Sequence, residues 1–313
     1  MTRRDMAEGR RAVRLGLLAS ALFSVTYLVN GAMAQAGGSW MWGASLRFLL
    51  MLPALFLIVL RQGALGLVWQ EIRTAPGRWV LWSTVGFGVF YAPLTFAAAY
   101  GPSWLVAGVF QLTILAGALM TPLFPTESGR GKIPLRLLPA LFVMVLGVFL
   151  LQSEHRQSGE GGLLFAAPVL LSAAAYPLGN RKMMALCRDR LTTLQRVFGM
   201  AVCSLPFWLI LSAAALVFDG WPSGVQIAQS AAVALFSGLL ATLVFFRATA
   251  MVRDQPVYLA LVESTQCGEV VFSLLGGVLL LQDPPPGAAG WTGLLLIAGG
   301  MICNSLLSAC RPA

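Results

Sequence analysis

Two carboxylates lie in a stretch that is otherwise built for lipid. From Pro256 to Asp283 the chain reads PVYLALVESTQCGEVVFSLLGGVLLLQD, long enough to cross a bilayer as one helix, and it carries Glu263 and Glu269 with Gln266 between them. Neighbours in this set are three residues apart, so each adjacent pair shares a side of the helix. The outer two are six apart, roughly 120° around the axis, and need not serve one ligand. A carboxylate in low dielectric favours its neutral form, and such a group can exchange a proton for a cationic substrate because both compete for one negative site. The other reading is structural: a glutamate paired with an embedded arginine, or one that reaches the helix end.

Further polar residues fall inside apolar runs. Arg47 is well within the second run and either binds an anionic substrate or partners a glutamate. Arg196 is nearer a run's edge, where a long side chain can snorkel. Tyr27 with Asn30, and Tyr176 with Asn180, stand at helical spacing; they either line a path or join helices by hydrogen bonds. Gln111, with Thr113, occupies the part of the fourth run that corresponds to Gln266 in the ninth. Tyr91, Tyr100, Trp82 and Trp104 offer faces for an aromatic or cationic ligand, although packing or interface anchoring explains each singly. The small residues Ala116-Gly117-Ala118 and Gly276-Gly277 suit close helix approach. The candidate substrate and proton site is therefore Glu263, Glu269, Gln266, Gln111, Arg47, Tyr27, Asn30, Tyr176 and Asn180.

The class follows from what the chain lacks. Of 313 residues only 11% are charged, against about 25% for a soluble protein, and the mean hydropathy is +0.79. The net charge of +9 comes from short basic clusters between apolar runs, which is a topology signal and not a phosphate-binding stripe, so nucleic acid is not an expected partner. Cys187, Cys203, Cys267, Cys303 and Cys310 form no C-x-x-C pair, and the single histidine, His155, lies in a polar loop; no metal or other cofactor is expected. Gly101-Pro102-Ser103-Trp104 lacks the second glycine of a serine-hydrolase turn, and neither H-E-x-x-H nor a phosphate-cradling glycine loop is present. An enzyme is not expected, and a gradient is the expected energy source.

Ten apolar segments position these residues: about 14–34, 39–60, 78–99, 103–124, 134–152, 162–183, 193–217, 226–250, 255–281 and 287–308. Runs of this length read as helices, because backbone in lipid must satisfy its own hydrogen bonds. Pro53, Pro93, Pro122, Pro168, Pro177 and Pro206 fall inside them and predict kinks. Lysines and arginines cluster in alternate connections, among them Arg130, Lys132 and Arg136, then Arg181 to Arg190, then Arg253 and Arg311. The other connections hold only Arg156, which predicts cytoplasmic N- and C-termini in the cell inner membrane. Trp40, Trp42, Trp79, Trp104, Trp221 and Trp291 near segment ends predict an aromatic belt, with Trp208 the exception. The run ending at Ala32-Met33-Ala34 has a cleavage-like pattern, but its length is that of a full span, and it is read as the first one.

The two halves echo each other. Tyr27-Leu-Val-Asn30 has its counterpart in Tyr176-Pro-Leu-Gly-Asn180, and Arg47-Phe48 with Pro53 in Arg196-Val-Phe198 with Pro206. FAAAYGPSWLVAGVFQLT from Phe96 parallels FRATAMVRDQPVYLALVESTQ from Phe246, with Pro102 against Pro256. Five spans per half is odd, so the second half is expected to be inverted, with a site near the midplane between halves. The expected fold is all-α and polytopic, with ten transmembrane helices in two inverted five-helix repeats. A cytoplasmic tail covers 1–13, the first repeat 14–152, an external linker 153–161, the second repeat 162–308 and a cytoplasmic tail 309–313.

The stretch LLLQDPPPGAAGWTGLLLIAGGMI, Leu279 to Ile302, resembles the end of helix nine, the turn and the glycine-rich helix ten of the drug/metabolite transporter superfamily, in its EamA-like ten-helix type; Asp283 stands where that family usually has glutamate. VFQLTILAGALMTPLF and LVESTQCGEVVFSLLGG resemble its multidrug resistance efflux branch. The small four-helix exporters carry their key glutamate in the first helix, and segment one here has no acid. The resemblance implies a secondary active transporter, and with the embedded glutamates the expectation is proton-coupled efflux of small cationic or amphipathic compounds by a monomer or homodimer in the lipid bilayer. Uptake or exchange of a polar metabolite, with Arg47 holding an anion, is the alternative within transport. A non-transporting sensor or assembly protein is the alternative outside it.

Overall fold

The structure is a computed structural model that describes residues 3–126, 129–130, 135–157, 162–188, 190–252 and 255–309. Lys132, Arg253, Asp254, Cys310 and Arg311, residues 158–161 of the linker and the His155 side chain lie outside the described residues.

Each apolar segment is helical where it is described. The first is α1 (Arg3–Gln35), which extends through the N-terminal arginines; arginine, alanine and leucine are strong helix formers. It stops at Gly37, whose φ of +75° suits only glycine comfortably. α2 (Trp40–Arg61) begins at Ser39, whose hydroxyl accepts from the Trp42 amide at 3.4 Å. α3 (Leu65–Thr74) is a short amphipathic helix that the ten segments did not include. α4 (Pro76–Ser83) runs through a π-helical stretch, Thr84–Val89, into α5 (Phe90–Tyr100). α6 (Ser103–Phe110) and α7 (Thr113–Leu119) follow, then the two-residue strands β1 (Pro125–Thr126) and β2 (Gly129–Arg130), and α8 (Leu138–Gln157).

The second half of the chain is also helical wherever it is described. α9 (Gly162–Cys187) is followed by α10 (Thr193–Cys203), which starts with a capping box between Thr192 and Gln195, and α11 (Leu205–Phe218). α10 and α11 are bent by 48° at Ser204, just before Pro206. α12 (Gly224–Ala232) passes through a second π-helical stretch, Val233–Leu240, into α13 (Ala241–Met251). α14 (Pro256–Ser264) and α15 (Gly268–Leu280) are separated by a 3₁₀ turn, Thr265–Cys267, so the glutamate-bearing segment is not one continuous helix. α16 (Ala288–Ala309) closes the chain.

Among the described residues six helices are long and apolar enough to cross a membrane, and the bent α10–α11 pair makes up to seven; the α6–α7 segment is a shorter apolar helix. The most extensive packing is α8 on α16, followed by α1 on α13 and α9 on α5. α1 also lies on α15, α9 on α6 and α7, α2 on α10, α11 and α12, and α6 on α15. Phe48 stacks on the fully buried Trp208 at 4.4 Å, which accounts for the tryptophan deep in the seventh segment.

Three tryptophans assigned to the aromatic belt, Trp42, Trp79 and Trp104, are instead buried. Trp79 donates its indole N–H to the Glu71 carbonyl at 3.0 Å, and Trp104 donates to the Pro284 carbonyl at 3.1 Å. Each buried ring needs a partner for its one polar atom, and a helix or loop carbonyl supplies it. Asp283 is also structural: it accepts from the Ser103 amide at 2.8 Å and so caps α6. Glu154 likewise caps α16, accepting from the Gly287 and Gly290 amides.

Candidate functional site

Glu269 lies in the first turn of α15 and is only 7% exposed. Tyr27 of α1 lies against it, with its hydroxyl on the carboxylate side. Among the described residues no lysine or arginine forms an ion pair with Glu269. Tyr91, Tyr176, Arg47 and Glu269 all lie close enough to act electrostatically on Tyr27. Arg196 joins Arg47 and Glu269 in acting on Tyr176. One cluster thus gathers residues of α1, α2, α5, α9 and α15.

Among the described residues no glutamate pairs with Arg47, one of the two partners foreseen for it. Its Nη1 donates to Thr26 Oγ1 at 2.9 Å, and its guanidinium lies 4.1 Å from the centroid of the Tyr91 ring. Thr26 in turn meets Ser237 in the π-helical stretch before α13. The aromatic face and the hydroxyl replace the carboxylate of an ion pair, and Arg47 Nε is buried without a hydrogen-bond partner.

Tyr91, fully buried, also receives a hydrogen bond from Asn30 Nδ2 at 3.1 Å. Asn30 is 3% exposed, and its Oδ1 has no partner. Ser273, one turn beyond Glu269 and fully buried, also leaves its Oγ unpaired. Buried polar atoms without partners are few in folded proteins, and here three belong to this neighbourhood.

The remaining candidates separate. Tyr176 is 41% exposed and packs its ring on Phe90 at 4.8 Å, but Asn180 spends its amide on the Tyr176 carbonyl of its own helix at 2.9 Å and joins nothing across the bundle. Gln111 is buried at the break after α6, and Gln266 falls in the break before α15, with Nε2 unpaired. Glu263, on α14, is exposed and has no ion pair or hydrogen bond from its carboxylate among the described residues. Thr26 and Ser237 were not singled out from the sequence; small hydroxyl residues in apolar helices are too common to signal a site by type alone. The glycine pairs do serve packing: a Cβ on Gly276 would run into Leu28, and one on Gly277 into Asp283.

The model of the family described as "EmrE: Putative multidrug resistance efflux transporter" matches residues 10–310. The chain belongs to this family. Within the EmrE family it is similar to "Uncharacterized protein YjlA" of Bacillus subtilis (strain 168), at 47% identity over 311 residues and 96% of each chain. It is also similar to "Uncharacterized 42.1 kDa protein in intracellular alkaline protease 3'region" of Shouchella clausii, at 47% identity over 265 residues, 83% of this chain and 70% of that one. A solved structure described as "Crystal structure of protein" shares the fold, with a TM-score of 0.62 over 96% of this chain and 98% of the other at 16% identity. An EmrE-family chain with several apolar helices is a multi-pass membrane protein of a transporter family.

Proposed function

We propose that the chain is a ten-span secondary active transporter that couples proton movement to efflux of small cationic or amphipathic compounds. Both termini are cytoplasmic in the cell inner membrane, the first repeat is 14–152, and the second, inverted, is 162–308. The carrying observation is Glu269, a carboxylate buried between α1 and α15 with a tyrosine hydroxyl and no counter-cation. A proton and a cationic substrate compete for such a site.

The inverted-repeat reading is supported by how the helices pair. Exchanging each helix for its counterpart five segments later turns α1 on α13 into α9 on α5, and α1 on α14 and α15 into α9 on α6 and α7. The contacts α8 on α16, α2 on α10 and α11, and α6 on α15 exchange into themselves. The breaks agree as well: Gln111 and Thr265 each lie nine residues after Pro102 and Pro256, and π-helical stretches occupy the third and eighth segments, at sites where such distortions often serve function. This arrangement supports a site between the halves.

Purified protein in liposomes with an imposed pH gradient tests the proposal against a panel of cationic, neutral and anionic compounds. A cation-dependent proton flux that Glu269→Gln abolishes without lowering expression is expected. No proton flux with any compound overturns it. Transport of anions alone, lost in Arg47→Gln, favours the second reading, polar-metabolite exchange. The unpaired Nε of Arg47 is the observation behind that alternative.

A further inference from the structure

Away from the central cluster, Arg181 and Lys182 stand side by side in the last two turns of α9, a helix that packs on both α4 and α7. Arg181 Nη1 donates to the Gly117 carbonyl of α7 at 2.6 Å, and its guanidinium lies 5.6 Å from the centroid of the Phe124 ring. Glycine at 117 leaves room for this reach: a Cβ there would come to 3.2 Å from Arg181 Nη2. The Lys182 ammonium lies 5.0 Å from the Phe124 centroid and 5.6 Å from that of Trp82 on α4.

Neither cation has a carboxylate. Among the described residues neither forms an ion pair, and Lys182 makes no hydrogen bond. Arg190, a little further along the chain, is different: Glu71 takes up its charge through two hydrogen bonds. Aromatic faces fix the position of a cation without neutralising it. Arg181 therefore keeps further guanidinium donors, Lys182 keeps its ammonium donors, and two positive charges stay uncompensated in one place. Both side chains are partly sheltered, so the charges sit in a niche between helices and not at the tips of free side chains. Apolar side chains border the niche. Leu123, next to Phe124, is 60% exposed, and Met184, one turn on from Arg181, is 52% exposed. Cations beside an apolar flank at the end of a membrane helix match the two parts of a phospholipid.

We propose that Arg181 and Lys182 hold the phosphate of an anionic phospholipid in the niche between α4, α7 and α9, with its chains against Leu123 and Met184. With the N-terminus cytoplasmic, this lipid belongs to the cytoplasmic leaflet. Only that choice of leaflet rests on the orientation proposed above; the contact itself is independent of orientation and of proton coupling at Glu269.

The test follows the melting temperature of the delipidated full chain in detergent during titration with phosphatidylglycerol, and with phosphatidylcholine of the same chains as the zwitterionic control. Phosphatidylglycerol is expected to raise the melting temperature at lower concentration. Lys182→Gln should move the half-effective concentration of phosphatidylglycerol up about fivefold, and Lys182→Arg should stay near native. Lys182 makes no hydrogen bond, so this variant removes a charge without removing a bond from the fold; Arg181→Gln also removes the tie to α7 and serves as the second variant. Arg10→Gln removes one exposed charge from α1 and should leave the titration unchanged. Equal potency of phosphatidylcholine overturns the proposal, because no anion is then recognised. An equal effect of Arg10→Gln overturns it, because total charge and not a site is then at work. The same shift with glycerol phosphate, which has no chains, overturns it in favour of a free anion. A native titration without a phosphatidylglycerol effect, or an unchanged one in Lys182→Gln, overturns it as well.

Discussion

Trp42, the third residue of α2, donates its indole N–H to the carbonyl of Gly220, just past the end of α11, at 2.8 Å. At the other end of α2 the relationship recurs with the helices exchanged. Gln195, the third residue of the α10–α11 pair, donates to the Gln62 side chain just past α2 at 3.3 Å. Ser39 and Thr192 are the matching N-caps. The two helical segments therefore clasp each other at both ends.

The Gln195 clasp has a companion that the Trp42 clasp lacks. Arg190 forms a bidentate pair with Glu71 of α3, Nε to Oε1 at 2.6 Å and the second nitrogen to Oε2 at 2.8 Å. Glu71 is 10% exposed at its side chain and Arg190 46%. Arg190→Gln strands a nearly buried carboxylate, whereas Glu71→Gln leaves an arginine that water can solvate. Arg190→Gln should therefore lower the melting temperature in detergent more than Glu71→Gln does. Equal shifts would mean that the pair is solvent-screened on both sides.

The same pair sets a pH expectation. The hydrogen bond to Glu71 raises the Arg190 guanidinium above its ordinary range. A cation raised in the folded state contributes below its unfolded value and loses that contribution only as pH rises through the folded one. For arginine both lie above roughly pH 12, so the clasp should not respond between about pH 6 and 9. Salt should respond instead: raising ionic strength from about 0.1 M to 1 M shortens the screening length from about 10 Å to 3 Å. Comparing native and Arg190→Gln melting across that range should show the difference between them shrinking as salt rises.

Tyr27 is the polar neighbour that acts most directly on the Glu269 carboxylate. Tyr27→Phe keeps the ring and its packing and removes only the hydroxyl. A hydrogen bond to a charged group contributes about 1.5–3 kcal/mol, so proton-coupled transport should fall by roughly ten- to a hundredfold while expression is preserved. Asn180→Ala, which removes only an amide bonded to its own helix, should leave transport nearly native. Proteoliposome flux on the two variants checks both.

Asp283 accepts from the Ser103 amide at 2.8 Å and ties the end of α15 to the start of α6. Asp283→Ala removes a charged cap, which typically lowers stability by about 1 kcal/mol. Asp283→Asn keeps an oxygen acceptor and should lose less. Thermal unfolding of the two variants orders the effects; equal losses would show that the charge contributes little beyond the acceptor.

That the apolar runs form helices was legible, because backbone in lipid must satisfy its own hydrogen bonds, and Gly101-Pro102 and Gln255-Pro256 fall where helices end or begin. α3 was not, because Leu65 to Trp69 is too short an apolar run to register beside full spans. Nor was the break at Thr265–Cys267, which contains neither glycine nor proline. Burial of Glu269 could be anticipated from its place in the chain, whereas its contact with Tyr27 could not, since no local spacing relates residues on α1 and α15. The contacts of Arg47 were not legible for a related reason. A charge in an apolar run suggests a countercharge, but Thr26 and the Tyr91 face satisfy a guanidinium without one.

Gly179 tests the closest helix approach in the molecule's first-to-second-half packing around α9. A Cβ added there would come inside 3.0 Å of the Gly86 Cα and N in the π-helical stretch before α5. Backbone cannot rotate aside as a flexible side chain can, so α9 would have to move away from α4 and α5. Overpacking of this kind costs about 1–3 kcal/mol, and Gly179→Ala should lower the melting temperature accordingly. Gly299 in α16 has nothing within 4 Å of its added Cβ, and alanine there gains helix propensity of up to about 1 kcal/mol, so Gly299→Ala should be neutral or stabilising. If Gly179→Ala melts no lower than Gly299→Ala, α9 and the π-helical stretch do not hold the contact described.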